Sequence, residues 1–464
     1  MGSANGAENE GQSKVERMAE ASGAETTAEG AVRLPVACAA EISASELLVS
    51  ETPALAPEDD SRKRRAYFSF AVTSVLYTFV FAAANTPSPL FATYQEALGL
   101  ADAALSMATF FYLLGVMLTL LFGGRASEAL GYKPLSVAAA ASGMLGCFMF
   151  LGLNGAATMM LARFVQGVSC GLAMSAVSAF LIDSIAPYHL SWGSAIAGTC
   201  SCMGVVFGCL PAGLLYEATG SPVLAYALAI VVLGVLGALV FTLPELQQYR
   251  VPLRCTLKPR FDIPRQAVFA FALVALAYIG AWNVFNFFQG FSAPLAVVNF
   301  HSASSLVAAL ILSCASAPTV LGGPLANCFE PHKGLLIAAA AFVATCAGML
   351  AFAAAGQLIP FYLFCALYSV AQGMCTAAGL RLMLEVSAGR STVGVVSAIN
   401  LVAYVGNALT SLGVSAAVGF AGYVPVLAGL SLFPVALLVL VGVRYGHLGS
   451  LLARSVAGAA EEEW

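Results

Sequence analysis

One arginine stands inside a long apolar segment of this chain, where a charge needs a specific reason. Arg163 belongs to the segment 158–182, and helical spacing puts Arg163, Gln166, Cys170 and Met174 on one stripe. A cation at the centre of a bilayer costs about 2.5–3.5 kcal/mol on insertion scales, so Arg163 must face a cavity or a buried partner. Two interpretations follow. Arg163 either meets a solute or a proton in a cavity, or it is a buried arginine bonded to backbone carbonyls.

Amide, phenol and indole side chains recur at helical spacing in four other apolar segments. Such groups on rigid helices suit a modest-sized, partly apolar solute, and as a set they favour a wet cavity. Each one taken singly is equally well explained by an interhelical hydrogen bond. With Arg163 and Gln166, the candidate binding residues are Asn85, Trp282, Asn283, Asn286, Gln289, Tyr368, Gln372, Asn400, Tyr404 and Asn407.

The composition indicates which elements must position these side chains. Of 464 residues, 60% are hydrophobic and 9% are charged, whereas soluble domains are about 25% charged. A helix needs about 20 apolar residues to cross a bilayer. Twelve such segments lie near 66–86, 104–123, 134–152, 158–182, 194–215, 223–243, 267–290, 304–326, 334–354, 359–384, 394–416 and 424–443. The sequence predicts an all-α membrane protein with twelve transmembrane helices.

Lys and Arg distribute to one side of this predicted topology. They occupy 62–65, the central loop and the other connections of the same side. The six opposite connections contain no Lys or Arg, and their charged residues are Glu96, Asp102 and Glu217. Cytoplasmic loops retain Lys and Arg. We therefore expect both termini to be cytoplasmic, in a plasma membrane or inner membrane.

The polar segments divide the chain into predicted domains. Residues 1–61 hold twelve of the 24 acidic residues and lack a sustained apolar period, so a disordered acidic tail is expected there. The expected domains are this tail, an N-terminal six-helix bundle at 62–243, a cytoplasmic linker at 244–266, a C-terminal six-helix bundle at 267–447 and a short tail at 448–464.

Three short motifs recur in the second bundle at offsets between 199 and 206 positions. They are Gly124-Arg-Ala-Ser-Glu128 with Gly323-Pro-Leu-Ala-Asn327, Gln166-Gly167 with Gln372-Gly373, and Ser88-Pro89-Leu90 with Ala293-Pro294-Leu295. A duplicated six-helix unit predicts a pseudo-symmetric body with a cavity between its halves. Rocking of one half over the other would expose that cavity to each side in turn.

These motifs resemble the major facilitator superfamily over roughly residues 62–447. Gly124 to Lys133 is similar to the superfamily's loop motif Gly-x-x-x-Asp-Arg-x-Gly-Arg-Lys: Gly124, Gly131 and Lys133 match, and Glu128 replaces Asp. Ala and Tyr replace the two arginines, which weakens the charged latch that the motif implies. The resemblance implies that Glu128 and Asp183 belong to a gate, although each is equally consistent with an ordinary interfacial carboxylate.

Two further motifs resemble the same superfamily. Arg163-Phe-Val-Gln-Gly167 is similar to its Arg-x-x-Gln-Gly motif. Gly204-x-x-x-Gly208 resembles a glycine-rich motif of antiporters, but Cys209 stands where that motif has proline, so the glycines can equally serve close helix packing.

The remaining chemistry of the sequence favours a carrier over an enzyme. All four histidines lie in connections, and neither a HExxH motif nor a Walker phosphate loop appears. We expect no cofactor or metal, with proton coupling left open, and a monomer that contacts a small-molecule solute and the lipid bilayer but no nucleic acid. The favoured function is export of an amphipathic or drug-like compound. The alternatives are uptake or facilitated passage of a small organic anion or metabolite, and a non-transporting scaffold or receptor.

Overall fold

A computed structural model describes residues 25–26, 32–33, 60–123, 126–245, 268–386 and 392–446. The chain divides into two units, Met1–Lys63 and Arg64–Trp464. In the first unit, Glu25–Thr26 pairs antiparallel with Val32–Arg33. The rest of the predicted acidic tail up to residue 59, nearly all of the linker and the C-terminal tail lie outside the described residues.

Twelve helices of the described chain are long and apolar enough to cross a membrane, which confirms the predicted number of spans and the all-α class. Helices are the expected form here, because a backbone in lipid must satisfy its hydrogen bonds within the segment. Spans 1 to 12 are Ser61–Leu98, Asp102–Gly123, Tyr132–Leu151, Ala156–His189, Ala195–Thr219, Val223–Val240, Val268–Phe300, Ser305–Asn327, Pro331–Ala354, Leu358–Val386, Ala398–Ala421 and Tyr423–Val443.

Several spans are interrupted rather than regular. Span 1 comprises the α-helix Asp60–Asn85, a 3₁₀ turn at Ser88–Leu90 and the α-helix Phe91–Leu98. Span 4 contains a π-helical turn at Ala173–Val177. Span 7 was expected to end near residue 290, but its helix continues through Pro294 to Phe300.

The other interruptions and short elements lie in spans 4, 5, 8 and 12 and in the loop after span 2. The α-helices concerned are Ala126–Leu130, Ala156–Leu172, Ser178–Thr219 with a break at His189, Ser305–Cys314, Gly322–Asn327 after a 3₁₀ turn at Ala317–Leu321, Tyr423–Leu430 and Leu432–Val443, and the helix of span 11 begins at Thr392.

The two ends of the helices define two faces of the protein. We call the face where span 1 begins and span 12 ends the terminal face, and the opposite one the far face. Spans 1–6 form the N-terminal half and spans 7–12 the C-terminal half. Within the halves, span 4 packs on spans 2 and 3, and span 10 packs on span 9; between the halves, span 2 packs on span 11 and span 5 on span 8.

The repeated Gln-Gly dipeptides mark equivalent close contacts in the two halves. A Cβ atom on Gly167 of span 4 would lie 2.1 Å from the carbonyl oxygen of Tyr112 in span 2. A Cβ on Gly373 of span 10 would lie 2.3 Å from the carbonyl oxygen of Thr319 in span 8. Only glycine permits backbones to approach this closely. The sequence repeat therefore reflects a repeated helix crossing, consistent with two pseudo-symmetric bundles.

The glycines of span 5 make a similar contact. A Cβ on Gly208 would lie 2.2 Å from the carbonyl oxygen of Ala82 in span 1. This contact gives the Gly204-x-x-x-Gly208 motif a packing role inside the N-terminal half.

Candidate functional site

Span 1 loses backbone hydrogen bonds where its helix breaks near the far face. Pro87 and Pro89 have no N–H, so the carbonyls of Ala83 and Asn85, four residues earlier, lack their helical donors. In a membrane such carbonyls need other donors, because water is absent from the hydrocarbon core. The break therefore creates a demand for buried polar side chains on the neighbouring helices.

Gln166 of span 4 and Cys209 of span 5 donate to these two carbonyls, and Arg163 of span 4 donates to the Ala84 carbonyl between them. Gln166 Nε2 donates to the Ala83 carbonyl at 3.0 Å, and Arg163 Nη1 donates to the Ala84 carbonyl at 2.5 Å. Arg163 Nη1 also donates to Gln166 Oε1 at 3.2 Å. The thiol of Cys209 in span 5 donates to the Asn85 carbonyl at 3.3 Å. Together these side chains hold the broken end of span 1 against spans 4 and 5.

The guanidinium of Arg163 is further enclosed by aromatic rings. It lies 4.7 Å from the ring centroid of Tyr112 and 5.8 Å from that of Phe91, distances at which a cation is attracted to a ring face. Arg163 is fully buried, and its Nε and Nη2 atoms have no hydrogen-bond partner. Its hydrogen-bond and ring partners all belong to the N-terminal half, so this arginine is embedded in one bundle.

A small cleft lies between the two halves. Its volume is about 10 Å³, room for about one water molecule. The lining comes from spans 2, 7 and 11, so both halves contribute to it. The lining residues are Ser106, Thr109, Asn283, Asn286, Phe287, Phe291, Thr410, Ser411 and Val414.

The polar atoms of this cleft are partly without partners. Asn286 Nδ2 donates to Asn407 Oδ1 at 2.9 Å. By contrast, Asn283 Nδ2 and Ser106 Oγ are buried without a hydrogen bond. Leaving a buried polar group unpaired costs about 1–3 kcal/mol. The cleft therefore presents hydrogen-bonding groups that a water or a polar ligand would satisfy.

Two contacts join the halves beside the cleft. Gln289 Nε2 of span 7 donates to Asn85 Oδ1 of span 1 at 2.7 Å. The hydroxyl of Tyr404 in span 11 lies 3.1 Å from the sulfur of Met174 in span 4, and the Tyr404 ring centroid lies 4.9 Å from that of Trp282. The structure thus brings five of the predicted amides and two predicted aromatic residues to the junction of the halves or next to it: Asn85, Asn283, Asn286, Gln289 and Asn407, with Trp282 and Tyr404. The remaining predicted amide of span 11, Asn400, is half-buried.

The other predicted binding residues lie within single bundles. Arg163 and Gln166 hold span 1, as described above. The hydroxyl of Tyr368 donates to the Ala281 carbonyl at 2.9 Å inside the C-terminal half. Gln372 is buried, and its Oε1 atom has no hydrogen-bond partner.

Span 2 contributes to the cleft although no candidate was predicted there. Ser106 and Thr109 lie at i and i+3 of an apolar helix, which places them on one face. That spacing was the sequence signal by which these two cleft residues could have been predicted. It was weak, because an isolated hydroxyl in a helix usually bonds its own backbone, as Thr109 Oγ1 does to the Leu105 carbonyl at 3.1 Å.

The loop motif connects spans of the N-terminal half at the terminal face. The hydroxyl of Tyr132 donates to Asp183 Oδ2 at 2.6 Å, and Lys133 Nζ donates to the Phe241 carbonyl at 3.3 Å. Gly131 has φ = +92°, a conformation that favours glycine. Gly124 lies outside the described residues, as does the side chain of Glu128, so the predicted gate of Gly124, Glu128, Gly131, Lys133 and Asp183 stays a prediction.

A surface ion pair lies at the same face, between spans 8 and 9. Lys333 Nζ and Glu330 Oε2 are 2.8 Å apart. The hydrogen bond from Lys333 holds the pKa of the Glu330 carboxyl below its usual range. No group of three or more His, Cys, Asp or Glu able to hold a metal ion occurs within the described ranges.

The geometry above is that of a two-bundle membrane protein with a polar cleft between its halves, and the sequence comparisons agree. Residues 73–411 match the model of the Major Facilitator Superfamily. The chain belongs to this superfamily, whose members are transporters, and it is a multi-pass membrane protein. That is the class that the sequence predicted.

Part of the chain is also similar to an individual protein of known name. The chain is 28% identical over 148 residues to the Multidrug resistance protein MdtL of Shewanella sp. (strain ANA-3). The matched stretch is 32% of this chain and 37% of that relative, so well under half of the relative's length is covered.

Proposed function

We propose that this protein is a secondary transporter that exports a small amphipathic organic solute by alternating access. The solute binds between the halves, in an enlarged form of the cleft formed by spans 2, 7 and 11. One observation carries the proposal: buried hydrogen-bonding groups without partners, Asn283 Nδ2 and Ser106 Oγ, lie at the junction of two repeated bundles.

The chemistry of the lining favours an amphipathic solute. It consists of hydroxyl and amide groups together with Phe287, Phe291 and Val414, and every lining residue is uncharged. Such a surface recognises a molecule through hydrogen bonds and apolar contact rather than through its charge. The partial similarity to a protein named for multidrug resistance supports the same substrate class.

The contacts between the halves favour loading from the terminal face. On the seam between spans 5 and 8, a Cβ on Gly213 near the far face would lie 2.8 Å from the carbonyl oxygen of Ser305. Near the terminal face, Gly198 and Gly323 of the same two spans have no atom of another residue near the position of a Cβ. The backbones of spans 5 and 8 thus approach closely at the far face, whereas farther along the seam a side-chain hydrogen bond joins them, from Ser316 Oγ to the Cys202 carbonyl at 3.3 Å. We place the terminal face in the cytoplasm, because Lys and Arg concentrate there.

Transport in proteoliposomes tests this proposal. Solutes that raise the melting temperature of the purified protein are first selected from a library, since a ligand stabilises the state it binds. Radiolabelled counterflow is then measured for the wild type, Asn286→Ala and the control Asn154→Ala, which alters an amide in a far-face loop. We expect Asn286→Ala to slow counterflow about tenfold or more, as loss of about 1.4 kcal/mol of binding would do.

The outcomes separate clearly. Counterflow that remains at the wild-type rate in Asn286→Ala would remove the cleft from the pathway. Absence of counterflow for every solute that stabilises the wild-type protein would favour a scaffold or receptor instead.

Uptake of an organic anion is the second candidate function. It is favoured by the buried Arg163 guanidinium, whose Nε and Nη2 atoms have no hydrogen-bond partner. An anion reaching this site would require span 1 to move away from span 4. Replacement of Arg163 by Ala should abolish transport of anions such as benzoate and spare an uncharged solute; equal transport of both by the variant would exclude a role of Arg163 in anion recognition.

A further inference from the structure

Two carboxylates of the N-terminal half reach across to the C-terminal half at the far face. The first is Asp102, at the start of span 2. Asp102 Oδ1 accepts a hydrogen bond of 2.8 Å from the hydroxyl of Tyr423, at the start of span 12. The same oxygen accepts a bond of 2.8 Å from Gln95 Nε2 within its own half. Gln95 thereby fixes the carboxylate in the position that meets Tyr423.

The second carboxylate is Glu217, at the end of span 5. Its Oε1 atom accepts hydrogen bonds from the hydroxyl of Ser304 and, at 3.1 Å, from the backbone N–H of Leu306. Ser304 is also the N-cap of the helix that begins span 8, since its Oγ accepts from the Val307 N–H. A carboxylate at a helix N-terminus is stabilised by unpaired N–H groups and by the helix dipole. Glu217 therefore caps a helix of the opposite half.

The internal repeat relates these two contacts to each other. Asp102 and Ser304 are 202 positions apart, and Glu217 and Tyr423 are 206 positions apart. Both separations fall in the range of offsets that relate the repeated motifs of the two halves. If each residue is replaced by its equivalent in the other half, the Asp102–Tyr423 contact becomes the Ser304–Glu217 contact. In both contacts the carboxylate comes from the N-terminal half and the hydroxyl from the C-terminal half.

The Asp102–Tyr423 contact also lies next to the cleft. The ring of Tyr423 is 5.6 Å, centroid to centroid, from that of Phe291, which lines the cleft. One further bond follows the same seam: the hydroxyl of Ser415 donates to the Ala103 carbonyl at 3.3 Å. The cleft therefore borders Tyr423, the residue that contacts the first carboxylate.

We propose that Asp102 with Tyr423 and Glu217 with Ser304 form a paired far-face gate, two latches on opposite seams that hold the halves together and release together. This rests on the alternating-access transport proposed above. Rocking of one half over the other separates both seams at the far face, so breaking either latch favours opening of both. No Lys or Arg lies in the six far-face connections, so the latches close through hydrogen bonds and a helix N-terminus rather than through ion pairs.

Three variants isolate the two latches. Tyr423→Phe removes the hydroxyl that crosses to Asp102 and keeps the Asp102–Gln95 bond and the aromatic contact with Phe291. Glu217→Ala removes the cap on span 8. The control is Tyr94→Phe, which removes a buried hydroxyl near the same face whose bond of 2.9 Å to the Tyr226 hydroxyl stays within the N-terminal half.

Hydrogen–deuterium exchange of the full-length protein in nanodiscs measures the opening, with mass spectrometry of peptides from each latch. For each variant, exchange is compared at the latch that the substitution leaves intact. For Tyr423→Phe this is residues 300–308, and for Glu217→Ala it is residues 99–106 and 415–426. A hydrogen bond to a charged group is strong enough to shift an open–closed equilibrium about tenfold. We expect exchange at the intact latch to rise by about that factor, and to stay at the wild-type rate in Tyr94→Phe.

Faster exchange only at the mutated latch would overturn the proposal, because it would show a local loss of contacts without joint opening. The same increase in Tyr94→Phe would also overturn it, since general loosening would then explain the result. If Glu217→Ala does not fold, Glu217→Gln, which keeps the acceptor oxygen and removes the charge, is read at the same peptides. The measurement needs no solute, so it stands apart from failure of the transport assay.

Discussion

The crossing of spans 2 and 4 makes a quantitative prediction for Gly167→Ala. The added Cβ would lie 2.1 Å from the Tyr112 carbonyl oxygen, whereas ordinary contacts begin near 3.4 Å. The obstructing atom belongs to the backbone of a helix, so a change of rotamer cannot relieve the clash. The two helices must separate by about 1.3 Å, the difference between these distances, and a change of that kind typically costs about 1–3 kcal/mol.

Part of this cost is offset within the helix. Alanine is favoured over glycine in a helix interior by about 1 kcal/mol. A clash with a helix backbone falls in the upper part of the overpacking range, about 2–3 kcal/mol, so the expected net loss is about 1–2 kcal/mol. For folded units of about 150–250 residues, each kcal/mol lowers the melting temperature by about 2–4 °C. Gly373→Ala should behave alike, because its Cβ would lie 2.3 Å from the Thr319 carbonyl oxygen.

Thermal unfolding of purified protein, followed by tryptophan fluorescence or by a thiol-reactive dye, measures the effect. The matched control is Gly413→Ala in span 11, where a Cβ would meet no other atom within 4 Å. We expect Gly413→Ala to melt at the wild-type temperature or slightly above it. Melting temperatures of Gly167→Ala and Gly373→Ala that equal that of Gly413→Ala would refute the close crossing and, with it, the packing explanation of the repeated Gln-Gly motif.

Three further predictions concern single hydrogen bonds. Gln166→Leu should destabilise the protein by about 1–3 kcal/mol, because the Ala83 carbonyl loses its donor, and by less in a Pro87→Ala background that regains a backbone N–H; equal losses in both backgrounds, measured by thermal unfolding, would contradict this role. A double-mutant cycle of Asn85→Leu and Gln289→Leu should give a coupling of about 0.6 kcal/mol, the average for such bonds in a membrane, and zero coupling would argue against contact between the halves at this point. Glu330→Gln should lower the melting temperature slightly at neutral pH, because the lowered pKa of the Glu330 carboxyl means that its pairing with Lys333 stabilises the fold above the ordinary carboxyl pKa. The difference in melting temperature between wild type and variant should vanish as pH falls through the lowered pKa. A difference that persists in acid would exclude the ion pair as its cause.

Much of the architecture followed from the sequence. Twelve apolar segments of sufficient length, and motifs repeated about 200 positions apart, predicted twelve spans and two related halves. These features could be predicted because the length and hydropathy of a segment are local properties, and because a segment in a bilayer commonly forms a helix to satisfy its backbone hydrogen bonds. The end of span 7 was misjudged near residue 290: the helix continues through Pro294 to Phe300, because a proline within a membrane helix does not have to end it.

The candidate site was only partly predictable. Asn283, Asn286 and Gln289 were identified as polar positions on an apolar helix, and they lie at or beside the junction of the halves. Arg163 was readable as a buried cation, but not its partners, because the backbone carbonyl that it binds, that of Ala84, lies 79 positions earlier in another helix. Ser106 and Thr109 were missed because hydroxyls in helices give no distinctive pattern.

By itself, the sequence determined that this protein lies in a membrane, that it has twelve spans and that it consists of two related halves, since each feature depends on the pattern of residues along the chain. Tertiary structure alone decided which polar groups meet: Gln166 with the broken end of span 1, Asn85 with Gln289, and Asp102 with Tyr423. Side chains so far apart in sequence become neighbours only through the crossing of particular helices. That crossing is fixed by where glycines allow two backbones to touch.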